Sequence, residues 1–328
     1  MNGENFQVFQ IDDQPVHRFG HPAMATTFEV VLFGESADYA EQAARAAFDE
    51  LDRIEDELSS WRASSDISQI NRLAPGEAVR VGADAMDCLQ IAASVTAETS
   101  GAFDVSVGPL ASLWANRPED AAPPSDDEIA EALAGCGMDR IILDAEQMGV
   151  GLKPDATATG GGIDLGGIGK GYGLDEMARV LRDWDLTSAL LSAGQSTLLA
   201  MGPGADHPPF ALPLRDPADQ QANVGLALLR NDAVSGSGTK LHGEHILDPR
   251  TGRPVRGRPG AWAMAESAAE SDALSTALMV VNETELRDLH HRHPDLAGLT
   301  LRRDAHGASA IRFGEEIQYF GRQGWLIQ

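Results

Sequence analysis

Eight glycines fall between positions 160 and 173: Gly160, Gly161, Gly162, Gly166, Gly167, Gly169, Gly171 and Gly173. Glycine reaches positive φ and lets backbone come close to a ligand, because it has no Cβ. Such a stretch is constrained to be a tight turn, here read as passing from strand to helix. Lys170 stands inside it, one of three lysines with Lys153 and Lys240; the other basic side chains are arginine. An ammonium among glycines offers a point charge to an anion. The combination points to a ligand that contains a diphosphate.

Two phosphate motifs are excluded. The P-loop needs glycine five residues before its Gly-Lys pair and Ser or Thr after it; Asp164 and Gly171 stand there. In the dinucleotide fingerprint, glycines at 167 and 169 require a third at 172, where the chain has Tyr172. Taken alone, the segment fits a plain turn with a surface lysine equally well.

At 328 residues the chain is long enough for one large domain or two intimate ones. The net charge of -25 argues against nucleic acid and anionic membranes as partners. Cys88 and Cys136 make neither a disulfide framework nor a metal site and read as small hydrophobes. Residues Met1–Gln14 are polar and acidic, without the apolar region of a signal peptide. No apolar run reaches the length of a membrane span. A soluble cytoplasmic protein is expected, or an exported one if a leader has been removed.

Thr27–Phe33 reads as a strand. Ala40, Ala44, Ala47, Phe48, Leu51, Ile54 and Leu58 recur at helical spacing and predict a helix over 37–59. A second helix is expected over 83–99, and Asn116–Asp127 reads as a loop. Ser125 to Glu128 has the chemistry of a helix start. Arg140–Leu143 reads as a strand, Leu174–Trp184 as a helix, and Ser188–Leu191 with Ser196–Met201 as strands around Gly194. Pro208–Arg215 and Val224–Leu229 are further strands, Ser271–Val281 an apolar helix, and 310–327 alternates like strands. Ser100–Leu110 reads as a turn–strand–turn unit. The mixture lacks a βαβ rhythm, so the fold class is α+β.

Two further constellations carry chemistry. Asp272 and Thr276 lie four apart on a helix, hence on one face. Their oxygens suit a hard cation such as Mg²⁺ with phosphate completing the shell. Taken alone, a helix-start aspartate and a core threonine account for them better. His245 precedes Ile246 and the turn Asp248-Pro249-Arg250-Thr251-Gly252, a setting for a general base. His242 competes for that role, and Asp248 with Arg250 can simply brace the turn.

The ordered series of blocks resembles the ApbE family, flavin transferases that move FMN from FAD onto protein hydroxyls. The blocks are Ala23–Thr26, Leu58–Trp61 with Ser65–Asn71, Gly101–Asp104 with Gly108–Leu110, Asp164–Tyr172, Ser235–Ser237, His245–Gly252 and Asp272–Thr276. The resemblance implies mixed sheets with flanking helices over 21–328, with 1–20 as a tail. It also implies a FAD site in a cleft between two intimate subdomains. Met24, Trp61, Ala102, Phe103, Asp104, Asp164, Lys170 and Ile246 would bind FAD. Gly167 through its carbonyl, Asp272 and Thr276 would hold Mg²⁺, and His245 would be the base. The acceptor would be a Thr or Ser of a partner flavoprotein, and AMP would leave.

Three departures from the family pattern stand out. Met24-Ala25-Thr26 replaces Met-Gly-Thr, Ser192–Ser196 replaces a Gly-Gly-Asn-like turn, and the segment from Ser235 to His245 is short. A FAD hydrolase giving FMN and AMP is the alternative activity. A flavin-binding module without catalysis is the alternative class.

Overall fold

The computed structural model describes residues 15–115, 122–157, 160–202, 208–217, 219–238, 246–304, 307–319 and 324–326. In chain order, β1 (Val16–Ala23) and β2 (Thr26–Phe33) form a hairpin. They are followed by α1 (Ala37–Leu58), α2 (Asp66–Ile70), β3 (Ala78–Arg80) and α3 (Ala83–Glu98). Next come α4 (Gly108–Ala115), α5 (Asp126–Ala134), a 3₁₀ turn (Met138–Arg140), β4 (Ile141–Asp144), β5 (Gly149–Leu152) and α6 (Gly169–Asp183). The central strands are β6 (Ala189–Ala193), β7 (Thr197–Met201), β8 (Phe210–Asp216), β9 (Asp219–Leu229) and β10 (Ala233–Gly238). The rest comprises β11 (Leu247–Asp248), β12 (Arg253–Pro254), β13 (Gly260–Ala265), α7 (Ala268–Val280), α8 (Glu283–Arg292) and β14 (Ala297–Asp304). It ends with β15 (Gly307–Phe313), β16 (Ile317–Tyr319) and β17 (Gly324–Leu326).

Nine strands share one sheet in the order β1-β2-β6-β7-β10-β13-β14-β15-β17. Among the described residues, β15 and β17 alone run parallel in it. Smaller sheets have the orders β16-β9-β8 and β3-β5-β4. Successive side chains of a strand leave opposite faces, and β2 is apolar on both. Phe28, Val30 and Leu32 pack with Leu51, Met177 and Leu181 from α1 and α6. Val31 and Phe33 pack with Leu214 and Leu229 of the small β16-β9-β8 sheet. A third apolar cluster joins α3 and α7 to Phe103, Leu165, Ile168 and Ile246. The architecture is α+β, with mixed sheets and flanking helices as expected.

The helix read over 37–59 is α1 to within one residue, and Ser125 heads α5 with a full capping box. Three expectations need correction. Ser100–Leu110 holds no strand: Asp104 takes the Ser106 N–H (2.7 Å) and hydroxyl (2.6 Å), which folds the segment into a turn ahead of α4. The helix expected from Leu174 begins at Gly169. Its early glycines are helical because the packing needs backbone there, whatever their propensity. The strand β1 starts at Val16, inside the stretch read as a tail.

Cys88 is buried and Cys136 half-buried, and burial raises both thiols, Cys136 to about 11. Among the described residues, no helix is long and apolar enough to cross a membrane.

Candidate functional site

The site assembles where the first turn of α6 meets α7. A Cβ at Gly171 would lie 2.1 Å from the Ala268 carbonyl oxygen, so the two helices touch backbone to backbone. That approach brings Asp272, 4% exposed, to the start of α6. The Gly171 N–H donates to Asp272 Oδ2 at 3.3 Å, and the Lys170 ammonium stands 3.4 Å from the same oxygen. Lys170 Nζ also donates to the Gly166 carbonyl at 3.0 Å. Ile168, the N-cap, supplies no side-chain acceptor, so Asp272 meets the positive end of the helix.

Thr276 lies one turn further along α7. A Cβ at Gly167 would stand 3.2 Å from both Thr276 Oγ1 and Phe103 Cε2. A side chain there would crowd both. Gly167, Asp272, Thr276, Lys170 and Phe103, hundreds of ångströms of extended chain apart at most, are therefore neighbours. Ala102 and Phe103 are buried in the same cluster as Ile246. Asp164 is exposed; its N–H donates to the Val105 carbonyl at 2.7 Å and its Oδ1 accepts the Gly166 N–H at 2.8 Å. Asp104 spends both carboxylate oxygens on backbone, Oδ1 on Ser106 and Oδ2 on the Met138 N–H at 3.1 Å.

Met24 packs against α6 at Gly173, where a Cβ would lie 3.5 Å from Met24 Cε. Its N–H donates to Glu55 Oε1 at 2.9 Å. Trp61, in the connection from α1 to α2, is 94% exposed and packs into none of the clusters. His245, like His242, lies outside the described residues. The turn that follows it is braced as one reading anticipated: Arg250 donates to Asp248 Oδ1 at 3.0 Å and to Glu285 Oε1 at 2.6 Å.

Sequence reasoning assigned no role to several residues that shape this region. Asn71 pairs with Ile163 in both directions, accepting its N–H at 2.7 Å and donating to its carbonyl at 2.9 Å. It thereby pins the glycine run. Ser237, at the end of β10, is 2.8 Å from Ser275 Oγ and 3.2 Å from Thr276 Oγ1. Asp175 accepts the N–H groups of Ala268 and Ala269, both at 2.8 Å. Asn71 and Ser237 fall in blocks the resemblance picked out, but their partners are distant in sequence and only the fold reveals them.

The ApbE family model matches residues 24–300. The chain belongs to the ApbE family. A relative from Vibrio cholerae named FAD:protein FMN transferase is 27% identical over 284 residues, covering 82% of each chain. One of the same name from Salmonella typhimurium is 28% identical over 288 residues, covering 82% of this chain and 79% of the relative. Two solved ApbE structures share the fold. That from Thermotoga maritima has a TM-score of 0.77 at 29% identity, over 91% of this chain and 97% of the other. The Pseudomonas stutzeri flavinyl transferase has a TM-score of 0.79 at 25% identity, over 93% and 96%.

The donor set beside Gly167 has the chemistry that a hard cation would require. Asp272 and Thr276 offer hard oxygen donors, and the open face of Gly167 leaves its backbone beside them. Among the described residues, no group of three or more His, Cys, Asp or Glu is placed to hold a metal. That is compatible with Mg²⁺, which takes one or two carboxylates and completes its shell with water and substrate phosphate.

Proposed function

We propose that this ApbE-family enzyme transfers FMN from FAD to a Thr or Ser hydroxyl of an acceptor flavoprotein, with Mg²⁺ at the diphosphate and AMP as the leaving group. The observation that supports it most is the convergence of Lys170, Asp272, Thr276 and Gly167 at the positive end of α6. Mg²⁺, when bound, would neutralise diphosphate charge and polarise the phosphorus–oxygen bond that breaks. Gly167, Asp272 and Thr276 would hold it.

Lys170 supplies the second positive charge and orients a diphosphate oxygen. Met24, Trp61, Ala102, Phe103, Asp104, Asp164 and Ile246 are the proposed contacts to FAD. Of these, Phe103 and Trp61 offer flat apolar surface to a ring system. Asp104 and Asp164 serve by shaping the turns around the ligand, because each carboxylate accepts hydrogen bonds from its own loop.

His245 is the proposed base. It takes the hydroxyl proton, the acceptor oxygen bonds to the FMN phosphorus, and the bond from that phosphorus to the bridging oxygen breaks. AMP leaves with that oxygen, and FMN remains on the protein as a phosphoester.

Purified protein incubated with FAD, Mg²⁺ and an acceptor carrying a flavinylation motif is expected to add one FMN mass to the acceptor and release AMP. Asp272→Ala should lower this Mg²⁺-dependent rate by about a hundredfold or more, beyond the loss typical of a residue outside the metal shell, with circular dichroism unchanged. FMN and AMP without acceptor would identify a hydrolase. FAD left intact with a competent acceptor would identify a binding module.

A further inference from the structure

Asp175 lies four residues after Gly171 on α6, one turn along the same face. Gly171 meets the start of α7 through its backbone, and Asp175 meets it through its carboxylate. The first backbone N–H groups of a helix have no partner within it. In α7 those of Ala268 and Ala269 go to Asp175, and that of Glu270 goes to the N-cap Ser267 at 3.1 Å. Asp272 follows three residues after Ala269, and Thr276 one turn later. The placement of both against Lys170 and Gly167 thus depends on how the α7 start is docked on α6.

We propose that Asp175 is a positioning residue, clamping the first turn of α7 to α6 and so holding Asp272 and Thr276 in register with Gly167 and Lys170. This rests on the flavin-transferase reading, since it assigns the clamped residues their use. Asp175 bonds to the backbone of Ala268 and Ala269 and acts on Asp272 and Thr276 through the helix.

The surroundings of Asp175 are acidic. A cavity of about 520 Å³ on the face of α6 opposite Lys170 is lined by Asp87 of α3, Tyr172, Glu176 and Arg182 of α6, and Glu266 and Ser267 ahead of α7. Glu270 of α7 adds a negative charge close enough to act on the Asp175 carboxyl. Burial pushes the Asp175 carboxyl up to about 6, against the two N–H groups that favour its ionised form, with Glu176 and Glu270 adding to the rise. Protonation would turn one acceptor oxygen into a donor facing a backbone N–H. The clamp is therefore strong above that pH and weakens below it.

The test compares wild type with Asp175→Asn, which keeps the shape but presents one donor and one acceptor. Binding of Mn²⁺ in the presence of FAD is followed by the EPR signal of the free ion, and hydrogen exchange is followed at the first turn of α7. At pH 7.5 the variant should bind Mn²⁺ about ten- to a hundredfold more weakly and exchange Ala268 and Ala269 faster. Wild type should lose Mn²⁺ affinity between pH 7.5 and 5.5 by a larger factor than the variant. Glu176→Gln, which removes a charge that raises the Asp175 carboxyl but makes no bond to α7, should match wild type in Mn²⁺ affinity and α7 exchange at pH 7.5 and move the loss to lower pH.

Unchanged Mn²⁺ affinity in Asp175→Asn would overturn the proposal, as would weaker binding with unchanged exchange in α7. If wild type itself bound no Mn²⁺, the transferase reading would fail. The exchange comparison would then still decide the clamp, faster exchange supporting it and equal exchange rejecting it. Should Asp175→Asn not fold, the wild-type pH series decides: parallel loss of Mn²⁺ binding and α7 protection near pH 6 supports the clamp, and independent behaviour rejects it.

Discussion

Ala25 stands at φ 58° and Met24 at φ 46°, the two central residues of the turn between β1 and β2. Two-residue hairpin turns of this form favour Gly or Asn because a Cβ is strained at positive φ. Ala25 carries a Cβ at such a position, which costs stability locally. Ala25→Gly is expected to stabilise the protein by about 1 kcal/mol, raising the thermal midpoint by roughly 1–2 °C in calorimetry. Trp61 is the opposite case. A tryptophan 94% exposed contributes little to packing, so Trp61→Ala should change stability by no more than about 0.5 kcal/mol. If it stacks on FAD as proposed, FAD affinity should fall about two- to twelvefold, matching an aromatic contact of about 0.5–1.5 kcal/mol, as read by flavin fluorescence titration.

At the scale of elements, α6 shows why propensity alone misplaced its start. Gly169, Gly171 and Gly173 are helical; at Gly171 neighbouring backbone leaves no space for a Cβ, and at Gly173 the tip of Leu51 would have to move. The nearest atom to such a Cβ is 2.1 Å away at Gly171 and 2.8 Å at Gly173, but 3.6 Å at Gly169. These positions therefore respond to alanine in opposite directions. Gly169→Ala should raise stability by about 0.5–1 kcal/mol, because alanine loses less backbone freedom in a helix. Gly171→Ala should lower it by at least about 1–3 kcal/mol, the usual effect of overpacking, because the Ala268 backbone has to move. Chemical denaturation of the two variants checks the contrast. A gain at Gly171 matching that at Gly169 would show that α6 and α7 are not in backbone contact.

For the whole molecule, the charge of -25 is accompanied by several carboxyls whose acidity burial has weakened. Burial raises Asp175 to about 6 and also raises Glu57, Asp232 and Glu270. Arg53 lowers Glu50, and Arg287 lowers Glu283. A group raised in the fold binds protons more tightly folded than unfolded, so its stabilising contribution is present at low pH and is lost as pH climbs through the raised value. For Asp175, a rise from 3.8 to about 6 corresponds to roughly 3 kcal/mol; this global preference is set by burial and acts even though protonation loosens the local hydrogen bonds to α7, which favour the ionised form. Self-repulsion of the acidic surface acts in the same direction. The thermal midpoint is expected to be higher at pH 5 than at pH 7.5, and the difference should shrink in Asp175→Asn. A midpoint that rises between pH 5 and 7.5 would contradict this balance.

What the sequence determined by itself was local or ordered. The apolar spacing in 37–58 specifies α1, Ser125 with Glu128 specifies the start of α5, and the series of short blocks identifies the family. These signals rest on neighbours within a turn or on order along the chain, both of which survive without a structure. Tertiary structure alone decided that Gly169 to Gly173 are helical, that Asp104 folds a turn where a strand was expected, and that Asp175 and Asn71 act on partners more than ninety residues away. A side chain's hydrogen-bond partner across that separation depends on how whole helices pack, and no spacing in the sequence encodes it.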